Sequence, residues 1–191
     1  TMQTYLGACV DFAPADLDLD QVRDAKVTYL EGYLWDPDAA REAFFAAAHA
    51  AHEAGREISL SLSDPFCVDR HRDGFLGFLD EHVEILFANE EEIKSLFQVD
   101  SFDEAAKRIQ GVVDIAALTR SEKGSVIVTK DETIEVAAAP VDQVVDTTGA
   151  GDAYAAGFLA AYTHGLPLEA AGRLGGLMAA LIIQQIGARP S

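Results

Sequence analysis

The feature that most constrains the fold is a regular alternation of short apolar strands with helical segments. Strands that alternate with helices in this way pair as a mainly parallel sheet of βαβ units. In such a fold a ligand lies beyond the carboxyl ends of the strands, where Asn89, Thr119 and Asp146 stand. The predicted strands are 26–30, 58–62, 84–87 and 113–118, and a hairpin of 125–129 with 133–138 follows. The predicted helices between them are 14–24, a helix capped by Asp36 or Asp38 and running to Ala54, 69–81, 90–97 and 102–110.

A glycine-rich turn, residues 146–152, opens the first of two apolar helices that are predicted at 150–163 and 167–186. A helix start leaves several backbone N–H groups free, and together with the helix dipole they favour an anion at one point. Asp152 would repel a phosphate that is merely bound, but it suits a base beside a phosphoryl group in transfer. The alternative is structural, because an acid in the first turn stabilises any helix. The P-loop pattern G-x-x-x-x-G-K-[ST] and the dinucleotide fingerprint are both absent.

The string D-T-T-G-A-G-D at 146–152 resembles the signature of the ribokinase/PfkB carbohydrate kinase family, which includes adenosine kinases. Three other segments agree in order. Residues 89–92 match that family's N-x-x-E, and 119–124 match its T-x-G-x-x-G loop, except that Ser121 replaces the middle glycine. Residues 187–191 resemble the end of its C-terminal nucleotide loop. Residues 1–8 and 29–34 are similar to the adenosine kinase branch.

This resemblance implies a role for each matching residue. Asp152 becomes the general base, and Gly149, Ala150 and Gly151 offer N–H groups to the transferred phosphoryl group. Asn89 and Glu92 would hold Mg²⁺ through water, although N-x-x-E is also a helix capping box. The nucleotide would contact four further residues: Thr119, Gly124, Thr148 and Gly176.

Two more features follow from the resemblance. Family members often hold a monovalent cation such as K⁺ beside the anion site, and the matching positions are Asp146, Thr148, Gly187 and Ser191. The glycines at 172, 175 and 176 form a flat helix face, which suits either adenine or the close packing of another helix.

His49 and His52 do not form the zinc motif H-E-x-x-H, and they are expected to be solvated.

Charge limits the partners. The chain has 14 Lys and Arg against 32 Asp and Glu, a net charge of −18. Such a surface repels nucleic acid and anionic membranes, so neither is expected as a partner, and ATP would need local helix N–H groups and Mg²⁺. Cys9 and Cys67 lack metal-site spacing and favour a reducing, cytoplasmic location. A homodimer is left open.

The resemblance covers the C-terminal three-fifths of family members. It implies a ribokinase-like three-layer α/β/α core with a mainly parallel sheet, from which the N-terminal strands and most of a β lid are missing. Residues 1–12 would be a remnant of the connection to the lid, with residues 3–9 as a strand, and 13–191 would be the kinase core. Alone, these residues are expected not to turn over substrate and to associate through uncovered strands.

The sequence therefore predicts an ATP-dependent phosphotransferase that acts on a primary hydroxyl of a sugar or nucleoside, with an adenosine kinase-like activity favoured. The alternative is a non-catalytic nucleotide-binding module, or an inactive fragment of a sugar kinase of the ribokinase, fructokinase or ketodeoxygluconate kinase type. Asp152 argues against the first of these alternatives, because a module that only binds nucleotide has no need of a base.

Overall fold

A computed structural model describes residues 7–189 of the chain as strands and helices in alternation. The six strands of this part form one sheet in the order β1 to β6. Strands β1 to β4 are parallel, whereas β5 and β6 are antiparallel. The strands are β1 (Val27–Glu31), β2 (Glu57–Ser61), β3 (Ile85–Asn89), β4 (Ile115–Thr119), β5 (Ser125–Thr129) and β6 (Thr133–Val136). The helices are α1 (Leu19–Asp24), α2 (Asp38–Glu53), α3 (Pro65–His82), α4 (Glu90–Phe97), α5 (Phe102–Ile109), α6 (Ala150–Thr163) and α7 (Leu168–Ile182).

Helices cover both faces of the sheet, which gives the predicted three-layer α/β/α architecture. Successive side chains of β3 point to opposite faces, so Leu86 packs with α1 to α5 and Phe87 packs with α6 and α7. Because both faces are buried, the central strands are continuously apolar rather than alternating.

The carboxyl ends of the parallel strands meet at one edge of the sheet. Asn89 ends β3 and pairs in register with Thr119, which ends β4. Glu31 ends β1 and pairs with Ser61, which ends β2. Each of these positions leads directly into a loop or a helix N-terminus, so polar groups from four strands lie along this edge.

The chain before β1 differs from the prediction. Residues 7–9, the described part of the predicted strand 3–9, belong to a 3₁₀ helix (Gly7–Asp11), and residues 1–6 lie outside the described range. The predicted helix 14–24 is two pieces, a 3₁₀ turn (Pro14–Asp16) and α1, because Leu17 is extended with ψ 131°. Asp18 then caps α1 by accepting the N–H groups of Asp20 and Gln21.

The starts of α2 and α3 and the end of α7 also differ. Neither Asp36 nor Asp38 caps α2, whose N-cap is Pro37 without a side-chain bond. The side chain of Asp36 instead pairs with Arg70 and His71. Helix α3 begins at Pro65, four residues before the prediction, with Asp64 as its cap. Helix α7 ends at Ile182 rather than 186.

One histidine prediction is wrong. His49 is exposed as expected, but His52 lies within a cluster with His82 and Glu84. The His52 and His82 rings are stacked at 5.9 Å, and His52 Nε2 lies 3.1 Å from Glu84 Oε1. The cause is tertiary, because the end of α3 packs against α2 and covers this face of the helix.

Candidate active site

The N-terminus of α6 is open toward the carboxyl edge of the sheet. Gly149 is its N-cap with φ +77°, and no side chain of residues 7–189 caps the helix. The first N–H groups of the helix, including those of Gly151 and Asp152, therefore have no intrahelical acceptor. A Cβ at Gly151 would meet no atom of the described residues within 4 Å, so these residues leave the space beside Gly151 open.

Gly149 is required for this geometry. A Cβ at Gly149 would lie 2.6 Å from the Cβ of Ala188, and the positive φ disfavours any other residue. The turn before it is fixed by the Thr147 carbonyl, which accepts the N–H of Ala150 at 3.2 Å. The predicted start of a helix at residue 150, directly after a glycine-rich turn, is confirmed.

Asp146 organises the preceding turn. Its Oδ1 accepts the Thr148 amide at 2.9 Å and the Thr148 hydroxyl at 2.7 Å, and its Oδ2 accepts the Gly187 amide at 3.0 Å. These bonds hold the pKa of Asp146 below its usual value, with the Gly187 amide as the largest cause. Three of the four residues predicted for a monovalent cation thus lie together. Ser191 lies outside the described residues, and the cation itself stays a prediction.

The N-terminus of α4 is closed, in contrast to that of α6. Asn89 Oδ1 accepts the Glu92 amide at 2.9 Å, and Glu92 Oε2 accepts the Asn89 amide at 2.9 Å. A third bond joins Asn89 Nδ2 to Glu92 Oε1 at 2.7 Å. Glu92 is 6% exposed, and its burial raises the pKa of its carboxyl to about 7. The capping-box alternative for Asn89 and Glu92 is therefore confirmed, while their Mg²⁺ role stays a prediction.

Between β4 and β5, the loop 119–124 contains a 3₁₀ turn (Ser121–Lys123) and two left-handed residues. Ser121 has φ +51° and Gly124 has φ +86°. The Arg120 amide donates to the Gly124 carbonyl at 2.8 Å, which closes the loop. Thr119 and Gly124 are thus the two ends of a tight loop beside Asn89.

A polar network that the sequence did not predict joins β1 to the loop after β2. The Tyr29 hydroxyl donates to Glu31 Oε2 at 3.0 Å, and the Ser63 hydroxyl donates to Glu31 Oε1. Ser63 has φ +67°, a strained value for this residue. Burial is the largest cause that raises the pKa of Glu31, and the charge of Asp152 raises it further. Asp152 therefore lies near enough to Glu31 for its charge to act on that carboxyl. The sequence signal was an acid at the end of a parallel strand, just before Gly32.

The glycines of α7 divide into two groups. A Cβ at Gly172 would meet Ile127 Cδ1 at 2.8 Å, and one at Gly175 would meet the Tyr154 carbonyl at 2.8 Å. Both are packing glycines. A Cβ at Gly176 meets nothing within 4 Å, so of the three only Gly176 leaves an open surface.

Two features are absent from the described part of the chain. None of its helices combines the length and the apolar composition needed to cross a bilayer. Residues 7–189 also hold no group of three or more His, Cys, Asp and Glu side chains arranged to bind a metal.

Comparison with known proteins gives consistent matches over the whole chain. The description "pfkB family carbohydrate kinase" matches residues 1–191. A probable sugar kinase from Rhizobium etli CFN 42 is 54% identical, with a TM-score of 0.95, over 97% of this chain and 57% of that chain. Adenosine kinase from Sinorhizobium meliloti is 50% identical, with a TM-score of 0.95 and the same two coverages. Adenosine kinase from Saccharomyces cerevisiae is 32% identical over 98% of this chain and 58% of that protein. The chain thus spans a little over half the length of these three relatives.

Proposed function

Because this chain belongs to the pfkB family of carbohydrate kinases, we propose that the whole protein transfers the γ-phosphoryl group of ATP to a primary hydroxyl of a nucleoside. A nucleoside, and adenosine in particular, is favoured over a free sugar by the similarity to two adenosine kinases. In this proposal residues 13–191 carry the nucleotide and phosphoryl sites, and residues 1–12 connect them to a lid.

The observation that carries the proposal is the open N-terminus of α6 with Asp152 in its first turn. The N–H groups of Gly149 and Gly151 donate to the phosphoryl oxygens, where negative charge must be stabilised during transfer, whereas the Ala150 N–H is held by the Thr147 carbonyl. Asp152 accepts the proton of the attacking hydroxyl as the new O–P bond forms and the bond from the γ-phosphorus to the β,γ-bridging oxygen breaks, which releases ADP. Phosphoryl transfer needs positioning more than a strong base, so a carboxylate of ordinary basicity suffices.

Glu31 is proposed to bind the substrate that accepts the phosphoryl group. Its carboxylate is held by Tyr29 and Ser63 and lies within electrostatic range of Asp152, so its remaining lone pairs suit a substrate hydroxyl next to the one that reacts. Two carboxylates beside each other favour a neutral polyhydroxylated acceptor over an anionic one.

Mg²⁺ fits the residues at α4. This ion keeps several waters and binds through one or two carboxylates and the substrate phosphates, so Glu92 oriented by Asn89 would hold it through water. When bound, Mg²⁺ neutralises charge on the phosphates of ATP. Glu92→Gln should then raise the Mg²⁺ concentration needed for half-maximal rate, and an unchanged metal titration would remove Glu92 from this role.

The remaining contacts follow the predicted assignments. Thr119, Gly124 and Thr148 border the nucleotide phosphates, and adenine lies on the open surface at Gly176. A K⁺ ion near Asp146 and Gly187, a cytoplasmic location and a homodimer also belong to the proposal. The proposed phosphotransfer does not depend on any of these three.

The test compares the 191 residues alone with a fusion that adds the part of the Rhizobium etli relative that the chain does not span. Both are assayed for ADP release with adenosine, other nucleosides, ribose and fructose. We expect the fusion to phosphorylate nucleosides with a rate of about 1–100 per second. ATP binding without transfer to any of these acceptors would favour the non-catalytic module.

A further inference from the structure

The nucleotide loop holds a residue in an unfavourable conformation. Ser121 has φ +51°, where side chains other than glycine are disfavoured. It stands at the position at which the T-x-G-x-x-G pattern has glycine. A strained residue persists only when its surroundings determine its conformation. The structure around Ser121 must therefore supply that constraint.

The residue before Ser121 is held by an ion pair and an aromatic ring. Arg120 Nε donates to Glu90 Oε2 at 3.0 Å, and the guanidinium lies 3.8 Å from the centre of the Phe102 ring. The side chains of Arg120 and Glu90 are 23% and 24% exposed, so solvent screens this pair less than a surface pair. Lys123 lies 3.7 Å from the same oxygen but is mostly exposed, and it adds less.

The other end of the loop is fixed by close backbone packing. A Cβ at Gly124 would lie 2.1 Å from the Val136 carbonyl oxygen, so the loop cannot move toward β6. The Gly124 amide donates to the Ser121 carbonyl at 3.1 Å, and the Lys123 amide donates to the Arg120 carbonyl at 3.0 Å. Ser121 is thus held between two anchored residues.

We propose that the Arg120–Glu90 ion pair, stacked on Phe102, maintains the left-handed conformation of Ser121 and thereby positions the loop 119–124 for the nucleotide phosphates. This inference rests on the proposed function, because it assumes that the loop binds ATP. Arg120 acts here as a positioning residue and not by touching the phosphates. Since Glu90 follows Asn89 and precedes Glu92, the same ion pair ties the loop to the side chains proposed for Mg²⁺.

The effects of Arg120→Gln and Ser121→Gly on ATP affinity are expected to be non-additive. Removing the ion pair with Arg120→Gln or Glu90→Gln should weaken ATP binding roughly 5- to 30-fold, the ratio expected when one left-handed residue is no longer held. Ser121→Gly removes the need for the constraint, since glycine adopts this conformation freely. Ser121→Gly should therefore have little effect by itself, yet restore ATP affinity to within about twofold in the Arg120→Gln background. Arg120→Lys keeps the charge but not the stacking fork, and should fall in between.

The experiment measures ATP affinity of the 191-residue chain by calorimetry, together with hydrogen exchange of the 120–124 amides without nucleotide. Glu91→Gln is the matched control, because it changes the same charge on the same turn of α4 but pairs with Lys94 instead. In the single ion-pair variants we expect faster exchange in the loop as well as weaker binding. Glu90→Gln tests the ion pair independently if Arg120→Gln folds poorly.

Two failures are distinguishable. A wild-type chain that binds ATP with an affinity that Arg120→Gln and Glu90→Gln leave unchanged would overturn this inference and leave the proposed function intact. Additive effects of Ser121→Gly and Arg120→Gln would also overturn it. A wild-type chain with a protected loop but no ATP binding would overturn the part of the proposed function that places the nucleotide site in residues 13–191, and the positioning role would fail with it.

Discussion

Two helix N-termini face the same edge of the sheet, and they differ in whether a side chain accepts their backbone N–H groups. At α4, Asn89 and Glu92 satisfy each other's backbone N–H groups in a capping box. At α6, the N-cap is a left-handed glycine, and among the described residues no side chain accepts an N–H of the first turn. The first arrangement uses the terminus to stabilise the helix. The second keeps the N–H groups available, at a cost in helix stability, for something that is not part of the chain.

The acidic residues at the two helix N-termini also differ: one is used within the chain, and the other remains accessible. Glu92 is buried, and both of its oxygens bond to Asn89. Asp152 is exposed at the start of α6 beside the network of Glu31. An acid that caps a helix is turned inward, whereas an acid that receives a proton from a substrate must remain accessible. Glu92 is therefore a helix-capping carboxylate that could reach Mg²⁺ only through water, whereas Asp152 is accessible to a substrate hydroxyl.

The largest expected effect is on turnover at α6. Asp152→Asn removes the base but keeps the size of the side chain, so turnover in the fusion should fall by roughly 10²–10⁴ while ATP affinity changes only a few-fold. The measurement is steady-state ADP release beside calorimetry. Asp131→Asn, in the exposed β5–β6 turn, is the control for loss of one negative charge. Near wild-type turnover in the Asp152 variant would exclude it as the base.

The next effect is on the geometry of the α6 terminus. Gly149→Ala adds a methyl group against Ala188 at a position with φ +77°, and it should lower the free energy of unfolding by about 1–3 kcal/mol and abolish anion binding. Gly165→Ala is a matched control, because Gly165 has φ +77° with nothing within 4 Å of a Cβ. It should cost about 1 kcal/mol and leave anion binding unchanged. Equal losses of binding in both variants would mean that Gly149 acts only through stability.

A smaller effect is expected at α4. Asn89→Ala removes the cap and should lower the free energy of unfolding by about 1 kcal/mol. Denaturant unfolding of the 191-residue chain measures it. Because α6 has no comparable cap, Thr148→Ala should cost less there. A larger loss for Thr148→Ala would contradict the contrast between the two termini.

The smallest effect is a shift in the titration of Glu31. Burial and the charge of Asp152 both raise the pKa of Glu31, so Asp152→Asn should lower it. Carboxyl carbon resonances would report this directly. A raised folded-state pKa also means that the stability contributed by Glu31 is present at low pH and is lost as pH rises through that pKa. Glu31→Gln should flatten this dependence, and an unchanged Glu31 titration in Asp152→Asn would show that the two acids do not face each other.

Local signals in the sequence were enough for the helices that border the site. The bounds of α4 and α6 were predicted as 90–97 and 150–163, and the structure has the same bounds. The N-terminus of each helix is determined by residues that are adjacent in the sequence. These residues form a capping box at α4 and a glycine turn at α6. The start of α3 was missed although Asp64-Pro65 carries an ordinary cap followed by proline.

The rest depended on contacts between distant residues. Glu31 and Ser63 meet only because β1 and β2 pair in parallel with Glu31 opposite Ser61. Arg120 reaches Glu90 through the pairing of β4 with β3, although 30 positions separate them. At α2, the pairing of Asp36 with Arg70 outcompeted the cap expected there. No local pattern predicts such partners, because the register of the sheet decides them.

The most direct test of the account is a titration of the 191-residue chain with inorganic phosphate, without Mg²⁺ and at low salt, followed by amide resonances. An open, uncapped terminus should bind the anion, and a capped one should not. We expect saturable shifts of the Gly151 and Asp152 amides, lost in Gly149→Ala, with the Glu91 and Glu92 amides unmoved. Equal shifts at both termini, or shifts confined to α4, would contradict the claim that α6 is the phosphoryl site.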